Sequence, residues 1–354
     1  MLVKPEIKKG LKPLFFKAGK LIFSRGNYIF ESELFENNKN NLVAYFQDNS
    51  IKQFISRIHF LSKTFRYGFR SVKPYKNGLI GIHKNKILFK SKNQKKMKTV
   101  FTSFKGSRPL NLLICPNEKI YFGEYFSNKN RSSVKVFSSK NGKDWFEVYK
   151  FNPGSIRHIH NLKYDKYRKG IWVLTGDSNN ESGLWFTSDN FKTLKKIVNK
   201  GQSSRAVDIF INKNDLIIPM DSPVQKNYIY KYSFKTGTMK KICFIENSIF
   251  NLIKINDLFL ISTVPEPSKI NDTSNVYIYA SLDCEKWIKI SVFKKNILPS
   301  FIQKYFRYPE VEFCKGKGML NVIGYGRSLK GFSNCMMIWK IKDIKKILNE
   351  NKKN

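Results

Sequence analysis

Short apolar segments that end in an aromatic residue and a small or polar turn recur along the chain at intervals of 46 to 60 residues. The aromatic residues are Phe30, Phe89, Phe137, Phe186, Tyr232, Tyr279 and Trp339. A period near fifty residues indicates a repeat architecture, and each repeat holds enough β-rich runs for about four strands. The pattern therefore predicts an all-β fold, a β-propeller of seven four-stranded antiparallel blades.

No linker rich in Pro, Ser or Gly interrupts this period, so we expect one propeller domain over residues 1–341. The last repeat offers three strands, near 308–313, 319–325 and 335–341, and we expect the N-terminal segment to supply the fourth. Residues 342–354 form a tail rich in Lys and Asn, which is expected to fray or to form a short helix.

Lysines interrupt every apolar run near the N-terminus, and no window reaches the length of a signal-peptide core or a membrane span. The five cysteines are an odd number, scattered and without a C-x-x-C pair, which indicates reduced thiols. The sequence therefore predicts a cytoplasmic protein without membrane insertion. It does not indicate an oligomeric state.

The chain is strongly basic, with 65 Lys and Arg against 26 Asp and Glu and a formal net charge of +39. Charge on this scale attracts anions and can cause non-specific binding of nucleic acid. The lysines are spread over every repeat and are not gathered in one tract, which is typical of a solvated surface. A scaffold that binds protein or nucleic acid is one alternative function.

Arginines recur in phase with the repeat, and the first three stand two to four residues after a Gly-led turn that enters the first strand. Arg108, Arg157 and Arg205 are 49 and 48 residues apart, and Arg307 follows 102 residues, or two blades, later. The repeat between them has Phe250 at this place. Because the first strand of a propeller blade is the innermost, we expect these arginines to meet at one mouth of the central channel.

Acidic residues follow the second strand of four repeats, at Glu124, Asp177, Asp221 and Glu266. The end of strand two and the start of strand one lie at the same end of an up-and-down blade, so the acids and arginines should share a face. Guanidiniums bind carboxylates or sulfates, and the acids could hydrogen-bond hydroxyls or transfer protons, as binding or cleavage of an acidic carbohydrate requires. Alternatively, these charges pair with one another and tie neighbouring blades together.

Three of the aromatic segments continue into a turn that resembles the Asp-box, or BNR repeat, of bacterial sialidase-like propellers, roughly Ser/Thr-x-Asp-x-Gly-x-Thr-Trp. They are SSKNGKDW at 138–145, TSDNFKTL at 187–194 and SLDCEKW at 281–287. Lys140 stands where the first copy should have its Asp. The physical role of such a box is a hairpin turn, with Trp145 or Trp287 packed between sheets.

The resemblance implies a substrate site on the face opposite the Asp-boxes, with an arginine cluster on the substrate carboxylate. The implied binding residues are Arg108, Arg157, Arg205 and Arg307. The family's catalytic tyrosine and its Glu partner would match Tyr308 beside Glu310, or Tyr125 beside Glu124. Sialidases have six blades, so six is the alternative blade count.

The sequence thus leaves two glycan functions open: a glycosyl hydrolase-like enzyme, and a non-catalytic binding or assembly protein of polysaccharide biosynthesis. The geometry of the acids distinguishes them. Two carboxyl groups roughly 5–10 Å apart beside an open pocket favour the enzyme. Acids that are all paired with arginines favour the binding protein.

His158 and His160 are two residues apart, which places both side chains on one face of a strand. No third ligand stands at a recognisable spacing, so neither a metal nor another cofactor is predicted. We expect His158 to contact the substrate or to transfer a proton. The sequence has no Gly-rich phosphate loop and no G-x-S-x-G elbow, which argues against nucleotide-dependent and Ser-triad chemistry.

Overall fold

The computed structural model describes residues 2–33, 40–49, 68–106, 109–272, 274–296 and 308–353. Two of the predicted binding residues, Arg108 and Arg307, lie outside the described residues. The fold is a seven-bladed β-propeller and is nearly all β, as the repeat predicts.

The strands of the first half of the chain follow one another in sheet order. A short N-terminal strand precedes the first blade: β1 (Glu6–Lys9). The first blade contains β2 (Lys12–Lys17), β3 (Lys20–Arg25), β4 (Tyr28–Glu33) and β5 (Asn41–Tyr45). The second contains β6 (Phe69–Tyr75), β7 (Gly78–His83), β8 (Lys86–Lys90) and β9 (Lys98–Phe101). The third contains β10 (Leu113–Ile114), β11 (Ile120–Gly123), β12 (Val134–Ser139) and β13 (Phe146–Phe151).

The next three blades repeat this order. The fourth contains β14 (His158–Asp165), β15 (Gly170–Gly176), β16 (Gly183–Thr187) and β17 (Lys195–Val198), and a 3-10 turn follows at Gly201–Ser204. The fifth contains β18 (Phe210–Ile211), β19 (Asp215–Pro219), β20 (Asn227–Ser233) and β21 (Met239–Ile245). The sixth contains β22 (Ser248–Ile255), β23 (Leu258–Val264), β24 (Asn275–Ser281) and β25 (Ile288–Lys294).

The seventh blade combines the two ends of the chain. Its strands are β26 (Glu310–Phe313), β28 (Asn321–Arg327) and β29 (Cys335–Lys340), and β1 pairs antiparallel with β29 as the fourth. The expectation of an N-terminal fourth strand is confirmed. A two-residue strand, β27 (Lys315–Gly316), pairs parallel with β2, and the tail is a helix, α1 (Ile341–Lys353).

The chain divides into two compact units: one comprises Gly26–Phe30 and Asn40–Asp208, and the other Met1–Arg25, Glu31–Lys39 and Ile209–Asn354. Each has its own apolar core. In the first unit, Trp145 packs with Phe122 and with Ile80 of the preceding blade. In the second, Trp287 packs with Phe210 and Phe259. Both tryptophans therefore lie between two sheets, as the sequence predicts.

All seven repeat aromatics lie on the third strand of a blade, and the three predicted Asp-box turns follow such strands. In the first turn, the Asn141 side chain accepts hydrogen bonds from the N–H groups of Lys143 and Asp144. Asp283 accepts the corresponding bonds from Glu285 and Lys286. The Asp position of the first turn is therefore filled by Asn141 and not, as the sequence suggested, left to Lys140. The sequence alignment was wrong by one residue because it began at the first of two serines.

All five cysteines are free thiols, and four of them are buried. Burial raises the pKa of Cys115 and Cys284 to about 12, so both are protonated at neutral pH. Within the described residues, no helix is both long and apolar enough to cross a lipid bilayer.

Candidate functional site

The hairpin of β14 and β15 carries the most concentrated group of charged and titratable side chains among the predicted site residues. In β14, His158 pairs with Gly176 and Ile159 with Thr175, and a β-bulge follows before Asn161. Bulges bend a strand and redirect its side chains. Here the bulge contains His160, and the Nε2 atoms of His158 and His160 lie 3.1 Å apart in the interior.

The other ring nitrogen of each histidine contacts a backbone carbonyl. His158 Nδ1 lies 3.0 Å from the Phe126 oxygen, and His160 Nδ1 lies 3.0 Å from the Ala206 oxygen. A carbonyl oxygen can only accept, so each Nδ1 must carry its proton. In the neutral form of each ring, Nε2 therefore presents a lone pair. Burial lowers the pKa of His158, which favours its neutral form.

Asp177 follows β15 and brings a carboxylate to the same point. Its Oδ1 atom lies 3.2 Å from His160 Nε2 and 3.5 Å from His158 Nε2. Two arginines also contact it: Arg157 Nη1 donates to Oδ2 at 2.8 Å, and Arg205 Nη2 lies 3.3 Å from Oδ1. We call Arg157, His158, His160, Asp177 and Arg205 the His–Asp–Arg cluster.

The Asp177 carboxyl is ionised in this environment. Burial alone would raise its pKa, but the contacts with His158 and His160 and the positive charge of Arg205 outweigh burial and hold the pKa of Asp177 well below its usual range. The cluster therefore contains one fixed negative charge and two guanidiniums. An excess of positive charge remains to attract an anion.

Neighbouring residues hold Asp177 in place through its backbone. Gln202 Nε2 donates to the Asp177 carbonyl at 2.6 Å, and Glu181 Oε2 accepts the N–H of Ser178 at 3.2 Å. Glu181 is itself ion-paired with Arg131. These contacts fix the loop that follows β15, so the carboxylate is preorganised.

Gly176 is required for the approach of His160 to this loop. A Cβ atom at position 176 would lie 2.6 Å from His160 Cε1, closer than real Cβ contacts allow. The glycine therefore gives the imidazole its place beside Asp177.

Arg157 is the most solvent-accessible charged group of the cluster, with a side chain that is 32% exposed. Its Nε donates to the Ser127 carbonyl at 2.8 Å and its Nη1 to Asp177. Within the described residues these are the hydrogen bonds of Arg157, so three of its five N–H donors remain for solvent or a ligand. The half-buried Tyr125 ring packs on His158 with a centroid distance of 4.2 Å. Arg157 is thus available to a bound molecule.

Glu124, the first of the four predicted acids, does not join the cluster. It is buried, and its two carboxylate oxygens accept the backbone N–H groups of Lys105 and Lys135 at 2.6 and 2.9 Å. Burial raises the pKa of Glu124 despite these bonds. Glu124 and Asp177 differ because they lie at different distances from the last residue of the second strand that pairs with the third. Glu124 comes one residue after that residue, Gly123, whereas Asp177 comes two residues after the corresponding residue, Thr175.

The remaining predicted residues lie in the other unit. Asp221 is buried and comes two residues after Pro219, which is the register of Asp177. Glu266 is buried and lies farther beyond the paired part of β23. Tyr308 is 44% exposed and its ring contacts Phe250 edge-on at 6.3 Å.

Sequence reasoning missed a second group of paired charges, which lies in the seventh blade. Arg327 forms ion pairs with Glu310 and Glu312, and its guanidinium lies 4.9 Å from the Tyr325 ring centroid. The two acids are two residues apart on β26 and therefore lie on one face of the strand. This spacing could have indicated the pairing from the sequence. The arginine is largely buried and paired with two carboxylates, so this group has no excess of positive charge for an anion.

A glycosidase would need a carboxyl group in the cluster that can act as an acid. Asp177 and the neighbouring Glu181 are the carboxyl groups closest to this role, and each is paired with an arginine. An ionised, arginine-bound carboxylate cannot donate a proton to a leaving group, as a glycosidase acid must. Within the part of the chain that the structure describes, Glu124 is the acid with a raised pKa next to this hairpin, and both its oxygens are used by the backbone. The arrangement is suited to binding an anion.

No protein-family model matches this sequence, and no curated protein sequence matches it. Solved structures resemble the fold. A chain of the mitotic checkpoint complex matches with a TM-score of 0.57 at 10% identity, covering 96% of each chain. The computationally designed Ika8 protein matches with a TM-score of 0.53 at 10% identity, and the match covers 96% of this chain and 99% of that chain. Sqt1 of Saccharomyces cerevisiae matches with a TM-score of 0.50 at 8% identity, and the match covers 91% of this chain and 81% of Sqt1. At these identities the similarity shows the propeller fold alone.

Proposed function

We propose that this propeller binds an acidic glycan or polysaccharide at the His–Asp–Arg cluster and does not hydrolyse it. The observation that carries the proposal is that Arg157 and Arg205 converge on a single carboxylate while Arg157 keeps three N–H donors and an exposed edge. A guanidinium with free parallel donors binds carboxylate or sulfate bidentately. The half-buried Tyr125 ring offers an apolar face for a sugar ring.

The proposal includes a distant kinship with sialidase-like Asp-box propellers. The turns at Asn141, Asp189 and Asp283 support it, because in each an Asx side chain accepts backbone N–H bonds two to four residues further on. Among the residues that the structure describes, no carboxyl group beside Asp177 is available as a general acid, which favours binding over hydrolysis. A role in polysaccharide assembly is consistent with such a binding protein.

A glycan-array screen at physiological salt tests this function. The wild type is compared with an Arg157→Ala/Arg205→Ala double variant and with Arg168→Ala as a matched control. Arg168 pairs with Asp165 at the opposite end of the same hairpin, so its removal deletes a similar ion pair outside the cluster. We expect selective binding to carboxylated or sulfated glycans that the double variant loses and Arg168→Ala retains.

Two further readouts separate the alternatives. Chromatography of glycans incubated with the protein should show no cleavage product, and an accumulating product would establish an enzyme. Weak, salt-sensitive binding to every polyanion, DNA included, with no change in the double variant would show that only the surface charge of +39 acts. That result would overturn the proposal.

A further inference from the structure

Three atoms of the His–Asp–Arg cluster that could serve as metal ligands lie close together. They are His158 Nε2, His160 Nε2 and Asp177 Oδ1, separated by 3.1, 3.2 and 3.5 Å. Since both Nδ1 atoms contact carbonyl oxygens, the two Nε2 atoms and the Asp177 oxygen can face one another only with a proton or a metal ion between them.

The separations match a tetrahedral metal site. In a tetrahedron with metal–nitrogen and metal–oxygen distances near 2.0–2.1 Å, neighbouring ligand atoms are about 3.3 Å apart. The three observed separations lie on both sides of that value. A single proton between two of the atoms would satisfy only one pair, whereas one ion can contact all three.

The surroundings of the histidines also fit metal ligands. Metal-binding histidines almost always donate their other N–H to a carbonyl or carboxylate, and the contacts with Phe126 and Ala206 do this. Arg157 holds the second carboxylate oxygen of Asp177, which would orient the carboxylate in the same way. Both rings are buried, so their orientations are fixed before an ion enters.

We propose that His158, His160 and Asp177 bind one divalent transition-metal ion of the Zn²⁺ class. Two imidazole nitrogens select against Mg²⁺ and Ca²⁺, which prefer all-oxygen sites. Three protein ligands leave a fourth position open. The nearby guanidiniums of Arg157 and Arg205 reduce the affinity for a cation and direct an anionic oxygen to that fourth position. The metal proposal can be tested separately from the glycan proposal, because the metal titration contains no glycan.

The test is a metal titration of the full chain at neutral pH after treatment with a chelator. Zn²⁺ binding is measured by competition with a chromophoric chelator, and Co²⁺ is added separately because its visible spectrum reports coordination number. We expect one Zn²⁺ per chain, an intense four-coordinate Co²⁺ spectrum, an increase in Tm with Zn²⁺, and no increase with Mg²⁺. The Co²⁺ spectrum is recorded on the wild type and does not depend on a variant folding.

Variants locate the ion. His158→Gln and His160→Gln should each weaken Zn²⁺ binding by more than about 100-fold. His83→Gln is the matched control, since His83 is also a buried histidine and contacts Asn27 outside the cluster. Failure of the wild type to bind Zn²⁺, a six-coordinate Co²⁺ spectrum, or equal loss in His83→Gln would overturn the proposal. A wild-type protein that binds Zn²⁺ but no acidic glycan would overturn only the proposed function.

Discussion

The hairpins β14–β15 and β22–β23 have the same pairing register and different side-chain chemistry. Each pairs an eight-residue first strand with a seven-residue second strand. His158 pairs with Gly176 as Ser248 pairs with Val264. The bulge between Ile159 and Asn161 recurs between Ile249 and Asn251, which makes Phe250 the counterpart of His160. The sequence alignment, which placed Phe250 at the position of Arg157, was wrong because the Gly-led turn is not a fixed distance from the strand.

The difference lies in a few side chains at matched positions. Where β14 has His-Ile-His, β22 has Ser-Ile-Phe. The residue before the strand is Arg157 in one hairpin and Asn247 in the other, and the residue after β15 is Asp177 where β23 is followed by Pro265. The apolar pattern builds the blade in both cases, and it does not require the cluster. The β22–β23 hairpin is therefore an internal control for the site.

The largest expected effect comes from rewriting β14 as its counterpart, with His158→Ser and His160→Phe together. Zn²⁺ binding should fall by more than about 100-fold because two ligands are gone. The propeller should remain folded, since Ser and Phe occupy the same register in β22, although the Phe126 and Ala206 carbonyls each lose a donor at a cost of about 1–3 kcal/mol. Far-UV circular dichroism and the zinc titration measure both parts. Undiminished zinc binding in a folded variant would refute the metal site.

A smaller effect is expected at Gly176, whose counterpart is Val264. Gly176→Val would force a side chain against His160 and should lower the free energy of unfolding by about 1–3 kcal/mol. Adding His160→Ala should recover part of that loss, because it removes the atoms in conflict. Urea denaturation of the four variants of this cycle provides the coupling energy. Strict additivity would show that His160 is not what excludes a side chain at 176.

The smallest effect concerns pH and the neighbouring acid Glu124, which lies in the sheet and not in the cluster. Burial raises the pKa of Glu124 in the folded state. At pH values between the usual glutamate pKa and this raised pKa, the folded chain keeps the proton and the unfolded chain releases it. Stability from this group is present below that window and is lost as pH rises through it. Glu124→Gln should remove this part of the pH dependence of the urea midpoint. Identical pH profiles for wild type and variant would contradict the assignment.

The sequence predicted the blades because each third strand ends in the same kind of segment, and a period of about fifty residues survives variation in single residues. It also brought Arg157, Arg205 and Asp177 together correctly, since strand connectivity determines which strand ends share a face. It failed for Glu124 because a difference of register at the end of β11 is not visible in spacing. The third ligand candidate for His158 and His160 was also missed, since Asp177 approaches them across the hairpin and is 17 residues from His160 along the chain.

The central claim is that the His–Asp–Arg cluster is the anion-binding site, and a calorimetric titration tests it most directly. An acidic oligosaccharide selected on the array is titrated into the wild type, Arg157→Asn and Arg168→Asn. Asn is the residue that the β22–β23 hairpin has at the position of Arg157. A lost charge-assisted contact of about 1.5–3 kcal/mol predicts roughly 10- to 100-fold weaker binding to Arg157→Asn. Arg168→Asn should bind like the wild type, and equal weakening in both variants would contradict the account.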